Sequence, residues 1–221
     1  MGYHLNFTLI WRHFDKLWSG LLLSLELAAL SIGIGCVIGL GLAVLYVSGN
    51  KIVRGLIAAY VEVIRNVPLL LLVYLVFYGL PRVLDFSYSN TTSFVVTLSA
   101  YAGAYLVEVF RSGLDAVPRG LLDAGKSIGL TPGQRFTYVR LPTMLRIALP
   151  ALSNTVVSLF KDTSVASVIA VPELTYGAQW INFNTFRIME VYLVVTGLYL
   201  VTGYAILIGL RMLERRYAIG R

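Results

Sequence analysis

The chain has 221 residues, 57% apolar and only 13% charged, where soluble domains carry roughly 25% charged residues. That balance excludes a water-soluble globular domain and predicts an all-α integral membrane protein, since helices satisfy their own backbone polar groups in lipid. The formal charge of +7 requires no nucleic acid, because loop lysines and arginines beside an anionic inner leaflet account for it.

Residues 1–20 hold Arg12, His13, Asp15, Lys16, Trp11 and Trp18. They read as a short amphipathic segment at the outer interface, with no signal peptide evident. Five apolar segments follow within a transmembrane domain at 21–213, at roughly 21–47, 56–80, 94–110, 147–171 and 191–213. Residues 214–221 form a tail. In the first segment Gly35 and Gly39 form a G-x-x-x-G pair suited to close helix packing. Cys36, the sole cysteine, can form neither an internal disulfide nor a zinc site. In the second, Asn66 and Pro68 predict a break, tolerated in a membrane where it lines a cavity. The third is short for a span. The fourth carries Pro150 as a candidate kink and is interrupted by Lys161 and Asp162.

Five spans put the termini on opposite sides. One side then receives Lys51, Arg54, the six cations from Arg111 to Arg146, and Arg211, Arg215, Arg216 and Arg221. The other receives Arg12, Lys16, Arg82 and Arg187. The cation bias predicts a cytoplasmic central loop (111–146) and C-terminus, with the N-terminus outside.

The central loop reads as two short helices. Pro118 suits the first turn of the first helix, and Leu121, Leu122, Gly125 and Ile128 share one side at helical spacing. Gly129 suits a left-handed terminus, with Leu130 as the closing apolar contact. Thr131, Pro132 and Gln134 spell an N-cap, a first residue and a capping box, and Pro142 ends the second helix. The result is an elbow over 118–142 with Ala124 and Gly125 on its surface. Gly120–Ser127, GLLDAGKS, also satisfies G-x-x-x-x-G-K-[ST], but no strand precedes it, so a phosphate-binding loop is rejected.

Asp123-Ala124-Gly125, Gly129 and Val139-x-Leu141-Pro142 resemble the E-A-A-x3-G-x9-I-x-L-P loop of ABC-transporter permeases, with Asp for Glu and Gly for Ala. Residues 61–81 (VEVIRNVPLLLLVYLVFYGLP), 108–120 (EVFRSGLDAVPRG) and 159–174 (LFKDTSVASVIAVPEL) resemble corresponding stretches of the polar amino-acid branch, which handles histidine, glutamate, glutamine or arginine. The resemblance covers most of residues 60–175. It implies the permease subunit of a type I ATP-driven importer in a bacterial cytoplasmic membrane. The implied partners are an ABC ATPase dimer, a second permease subunit (identical or sister chain) and an external amino-acid-binding protein. Asp123, Ala124, Gly125, Gly129, Leu141 and Pro142 would couple to the ATPase. No cofactor is expected in this chain, with ATP and magnesium on the ATPase.

Charges inside spans face cavities or partners. Those of the second to fourth spans lead to the substrate-pathway candidates Glu62, Arg65, Asn66, Pro68, Ser158, Lys161, Asp162, Thr163 and Ser164, with Tyr74 and Thr155 as weaker ones. Glu62 and Arg65 lie three apart and could pair, whereas adjacent Lys161 and Asp162 point apart. Asp162, Thr163 and Ser164 suit an amino group, and Arg65 or Lys161 a carboxylate. Ties between helices are the other reading of the Lys161–Thr163 group, as is snorkelling for Arg65. Glu173, Glu190, Tyr176, Trp180, Phe183 and Phe186 fall outside, either as contacts to the binding protein or in an interfacial re-entrant helix. The only histidines are His4 and His13, and no catalytic or metal constellation is expected. A stand-alone secondary transporter or channel for small polar solutes is the competing reading, disfavoured by the odd span count, the lack of an inverted repeat and the elbow.

Overall fold

A computed structural model describes residues 4–217, so residues 218–221, including Arg221, lie outside the described part. The described chain is helical without strands. After a short turn α1 (Thr8–Arg12), helix α2 runs from Phe14 to Ser48. At 35 residues it is about 50 Å long, so it absorbs residues 14–20, expected as a separate interfacial segment. Helix α3 (Lys51–Asn66) is capped by the Asn50 side chain, which accepts from the Val53 amide at 3.0 Å.

The second expected span is broken. Val67 and Pro68 are extended, and the chain resumes as α4 (Leu69–Tyr74), a π turn (Leu75–Gly79) and α5 (Leu80–Leu84), bent 104° from α3. Asn66 and Pro68 predicted this break. Four described helical stretches are long and apolar enough to cross a membrane, and the bent pair makes a fifth if it counts as one span.

Helix α6 (Asn90–Asp115) outruns the short third span expected. The Ser89 hydroxyl accepts from the Thr92 amide at 3.1 Å, so polar residues 90–93 join the first turn. Two elbow helices follow, α7 (Arg119–Ser127) and α8 (Pro132–Arg135). A π turn (Phe136–Arg140) joins α8 without interruption to α9 (Leu141–Asp162) and a 3-10 stretch (Thr163–Ile169). Pro142 therefore does not end the second elbow helix. It sits in the first turn of α9, where its missing N–H costs little. The preceding π turn lets the Leu141 amide reach Phe136, five residues back. Helices α10 (Leu174–Thr185) and α11 (Ile188–Tyr217) complete the chain, and α11 takes in 214–217 of the expected tail.

The core centres on α6, gripped between α2 and α9. Leu27 from α2, Phe94, Leu98, Leu106 and Phe110 from α6, and Met144 and Leu159 from α9 are all buried there. A second cluster joins the start of α2 to α10 and α11 through Leu17, Leu174, Ile181 and Val191. The α2–α6 contact is a backbone approach. A Cβ on Gly35 would lie 2.6 Å from the Ala102 Cβ, and one on Gly39 2.7 Å from the Leu106 Cβ. Gly41, on the same helix, faces open space. Gly39→Ala should therefore destabilise the fold by about 1–3 kcal/mol, the usual cost of overpacking. Gly41→Ala should be neutral or slightly stabilising, since Ala is the better helix former. Thermal unfolding in detergent checks both, and equal midpoints would refute the backbone contact.

Candidate functional site

The elbow is built by local rules. The Gly129 amide donates to Lys126 at 3.0 Å and the Leu130 amide to Gly125 at 3.0 Å, with Gly129 at φ 84. This pair of bonds closes α7 in the Schellman pattern. Thr131 and Gln134 form both bonds of the capping box. Pro118 stands one residue before the first helical residue, at the cap. Gly125 is not on the surface as expected. It is buried because α8 crosses there, and a Cβ would meet the Arg135 stem at 3.3 Å. Asp123 and Ala124 remain exposed. So does Ile128, at 78%, with Leu121 and Tyr138, so their apolar surface faces outward. Arg140 donates to the Leu114 carbonyl at 3.3 Å and fastens the elbow to the end of α6.

Above the elbow, α6 and α9 enclose a cleft of about 330 Å³ lined by Tyr101, Tyr105, Asn154, Thr155, Ser158 and Asp162. The two phenols share a hydrogen bond at 3.1 Å. Tyr105 also borders a second cleft of about 310 Å³ with Val61, Glu62, Arg65 and Asn66. Glu62 and Arg65 do not pair. The Arg65 guanidinium turns to α6, 5.1 Å over the Tyr105 ring and 4.0 Å from Glu108. Glu108 is held more closely by Arg111, at 3.0 Å, which also meets Asp115 at 3.6 Å.

Adjacent Lys161 and Asp162 do point apart. Lys161 lines a groove on α11 with Tyr199, Gly203 and Tyr204. Thr163 is fully buried and its hydroxyl donates to the Phe160 carbonyl at 2.7 Å, so it faces no cleft. Ser164 is half-buried in the 3-10 stretch and borders none of these clefts. Pro68 is exposed at the break. Tyr74 lines a separate apolar groove with Leu71, Tyr78 and Arg82. Tyr101, Tyr105 and Asn154 are not among the sequence candidates, because they lie away in sequence from the candidate charges and the Pro68 break, and only the packing of α6 against α9 brings them to Asp162.

Glu173 and Glu190 are fully buried, which withdraws them from any contact surface. The Glu173 carboxylate caps α10, accepting the Thr175 and Tyr176 amides at 2.9 Å each, and receives the Tyr199 hydroxyl at 3.0 Å and the Ser24 hydroxyl at 3.3 Å. Burial raises its pKa to about 7, although these donors oppose the shift. Glu190 accepts the Asn6 amide at 2.9 Å and Arg187 at 3.4 Å, tying the first described residues to α11. Phe183 and Phe186 are exposed, whereas Trp180 packs on His13 and under Lys16.

A family model described as binding-protein-dependent transport system inner membrane component matches residues 33–219. The chain is 31% identical over 215 residues to a probable glutamine ABC transporter permease protein, GlnM, of Bacillus subtilis (strain 168), covering 96% of this chain and 98% of that one. It is 33% identical over 215 residues to the glutamine transport system permease protein GlnP of Escherichia coli (strain K12), covering 97% and 98%. The crystal structure of an amino acid ABC transporter with histidines matches with a TM-score of 0.88 at 31% identity, covering 97% of this chain and all of that one.

Glu173 gives the protein a pH signature. Its folded value near 7 lies above the ordinary 4.5. Its contribution is therefore full below the ordinary value and lost as pH rises through about 7. Melting temperature should fall between about pH 5 and pH 8, and Glu173→Gln should flatten that part of the profile. Unchanged slopes in the variant would place the titration elsewhere.

Proposed function

The chain belongs to the binding-protein-dependent transport system inner membrane components, and from that membership we propose a permease subunit of an ATP-driven importer that carries a polar amino acid through the Asp162 cleft. The observation that carries this reading is the continuous helical stretch Pro132–Ile169. It starts in the elbow and reaches Asp162, so a displacement of one moves the other.

The cation bias supports an elbow in the cytoplasm and an N-terminus outside. Leu121, Ile128 and Tyr138 present the apolar surface for a groove on the ATPase, which holds ATP and magnesium. Two permease chains, identical or sister, enclose the pathway, and an external binding protein delivers the substrate. The Asp162 carboxylate takes the substrate ammonium group, and Asn154, Thr155 and Ser158 offer hydrogen bonds to a polar side chain. Closure of the ATPase tilts the elbow and moves α9 between two states.

Two substitutions separate the cleft from the elbow. Asp162→Asn should lower ATP-driven glutamine uptake about ten- to a hundredfold, the scale of a lost charged hydrogen bond, while the subunits still co-purify. Ile128→Asp should leave the permease in the membrane but release the ATPase during purification. Normal uptake by the first variant would remove Asp162 from the pathway. A retained ATPase in the second would move the docking surface elsewhere.

A further inference from the structure

Three clefts form a chain along one face of α6. The Asp162 cleft shares Tyr105 with the cleft at Arg65 and Asn66. That cleft shares Val61, Glu62 and Arg65 with a third, also about 310 Å³, which reaches Tyr46 on α2, Ala58 on α3, and Glu108 and Arg111 on α6. Tyr101 to Arg111 is ten residue steps along α6, or about 15 Å towards the elbow. The lining also changes. Asp162 is the only charged group of the upper cleft, whereas the lower two hold charges of both signs.

Those lower charges are unequally engaged. Arg111 is bonded to Glu108 and Asp115 and lies 5.5 Å over Tyr46. Arg65 lies 5.1 Å over the Tyr105 ring, but its one ion pair is a 4.0 Å approach to a Glu108 already held by Arg111, and it is 42% exposed. Glu62 makes no ion pair among the described residues, and only its backbone carbonyl is engaged, by Asn66. A spare cation and a spare carboxylate therefore stand three residues apart on α3, at neighbouring positions on the helix surface. Their charges match the two ends of an α-amino-acid head group.

From this arrangement we infer that the chain carries a second amino-acid station on the elbow side of the Tyr101–Tyr105 pair, where Arg65 binds the carboxylate of a zwitterionic amino acid and Glu62 its ammonium group. The inference rests on the reading that an amino acid passes the Asp162 cleft. The station accepts the head group common to all such substrates, so it serves passage rather than selection. Tyr105, with its ring under Arg65 and its hydroxyl bonded to Tyr101, is the element shared by both stations. A substrate released by Asp162 meets a complementary charge pair before water.

Protection of single cysteines tests it on the whole complex with its ATPase, in a Cys36→Ala background that still transports. Ala58→Cys reports the lower station and Ser158→Cys the upper cleft, each labelled by a small thiol reagent. Glutamine should slow labelling at both sites several-fold, and butylamine, which lacks a carboxylate, should not protect the A58C chain. Arg65→Gln should remove protection of A58C and keep that of S158C, and Asp162→Asn should keep the A58C protection of glutamine offered from the cytoplasmic side. Protection of S158C alone would overturn the second station and leave the upper cleft intact. Protection of neither would defeat the cleft reading as well. Protection of A58C that survives Arg65→Gln would overturn the head-group assignment. Uptake gives an independent measure. Arg65→Gln and Glu62→Gln should each lower maximal rate about tenfold, with ATPase stimulation by the loaded binding protein retained, and unchanged uptake in both variants would refute the station.

Discussion

The close approach of α2 and α6 fixes the position of everything the chain uses. In lipid no hydrophobic force drives one apolar helix against another, so packing must come from contact at short range. Gly35 and Gly39 supply it by letting α6 come within van der Waals reach of the α2 backbone. Helix α6 is thereby held along much of its length. It then lines all three clefts, through Tyr101, Tyr105, Glu108 and Arg111. The Tyr60 hydroxyl, bonded to the Ala100 carbonyl at 2.5 Å, adds α3 to the same frame. The clefts are therefore gaps between a fixed helix and two partners, α3 and α9, that are less deeply buried.

Breaks in helices expose amides and carbonyls, and each break here has its own remedy. At Asn66–Pro68 the side-chain amide of Asn66 donates to the Glu62 carbonyl at 2.7 Å, while Pro68 has no amide to lose. At the start of α10 Glu173 takes two amides with one carboxylate. In the elbow Gly129 and Thr131 close one helix and open the next. The two π turns share a further feature: each is followed directly by Leu-Pro, Leu80-Pro81 after one and Leu141-Pro142 after the other. A proline ring crowds the carbonyl four residues back. A wider turn before it relieves that crowding while the helix continues.

These differences explain what the sequence disclosed. The elbow was readable because caps depend on residues three to five apart, and Thr131, Gln134 and Gly129 carry their conformations with them. The break at Pro68 was readable for the same reason. The partner of Arg65 was not, since i, i+3 spacing proposes Glu62 while the fold offers Glu108 from another helix at 4.0 Å. Gly125 looked like an exposed small residue until α8 crossed over it. Glu173 read as an external residue because Glu is not a favoured N-cap, and only a position between α2, α10 and α11 makes it one. Pro142 alone suggests a stop, and Leu-Pro alone does not announce a π turn, since Leu149-Pro150 lies inside α9 with none before it.

Helix α9 continues through Pro150 from the end of the elbow to Asp162. It is 22 residues, about 33 Å, from Leu141 to Asp162. Over that arm a tilt of about 10° at the elbow carries Asp162 roughly 6 Å, twice the length of a hydrogen bond. Modest elbow motion is thus enough to open or dismantle a cleft whose other wall, α6, is pinned by α2. Lys161 and Asp162 add a further property, since adjacent residues on this helix face different neighbours. Asp162 sits on the cleft while Lys161 lies in the groove on α11. Ser153 bonds to Glu214 of α11 as well, so α9 and α11 are tied at separate heights. Helices α9 and α11 are thus joined, and one face of the pair holds the Asp162 carboxylate in the cleft that Tyr101 and Tyr105 line.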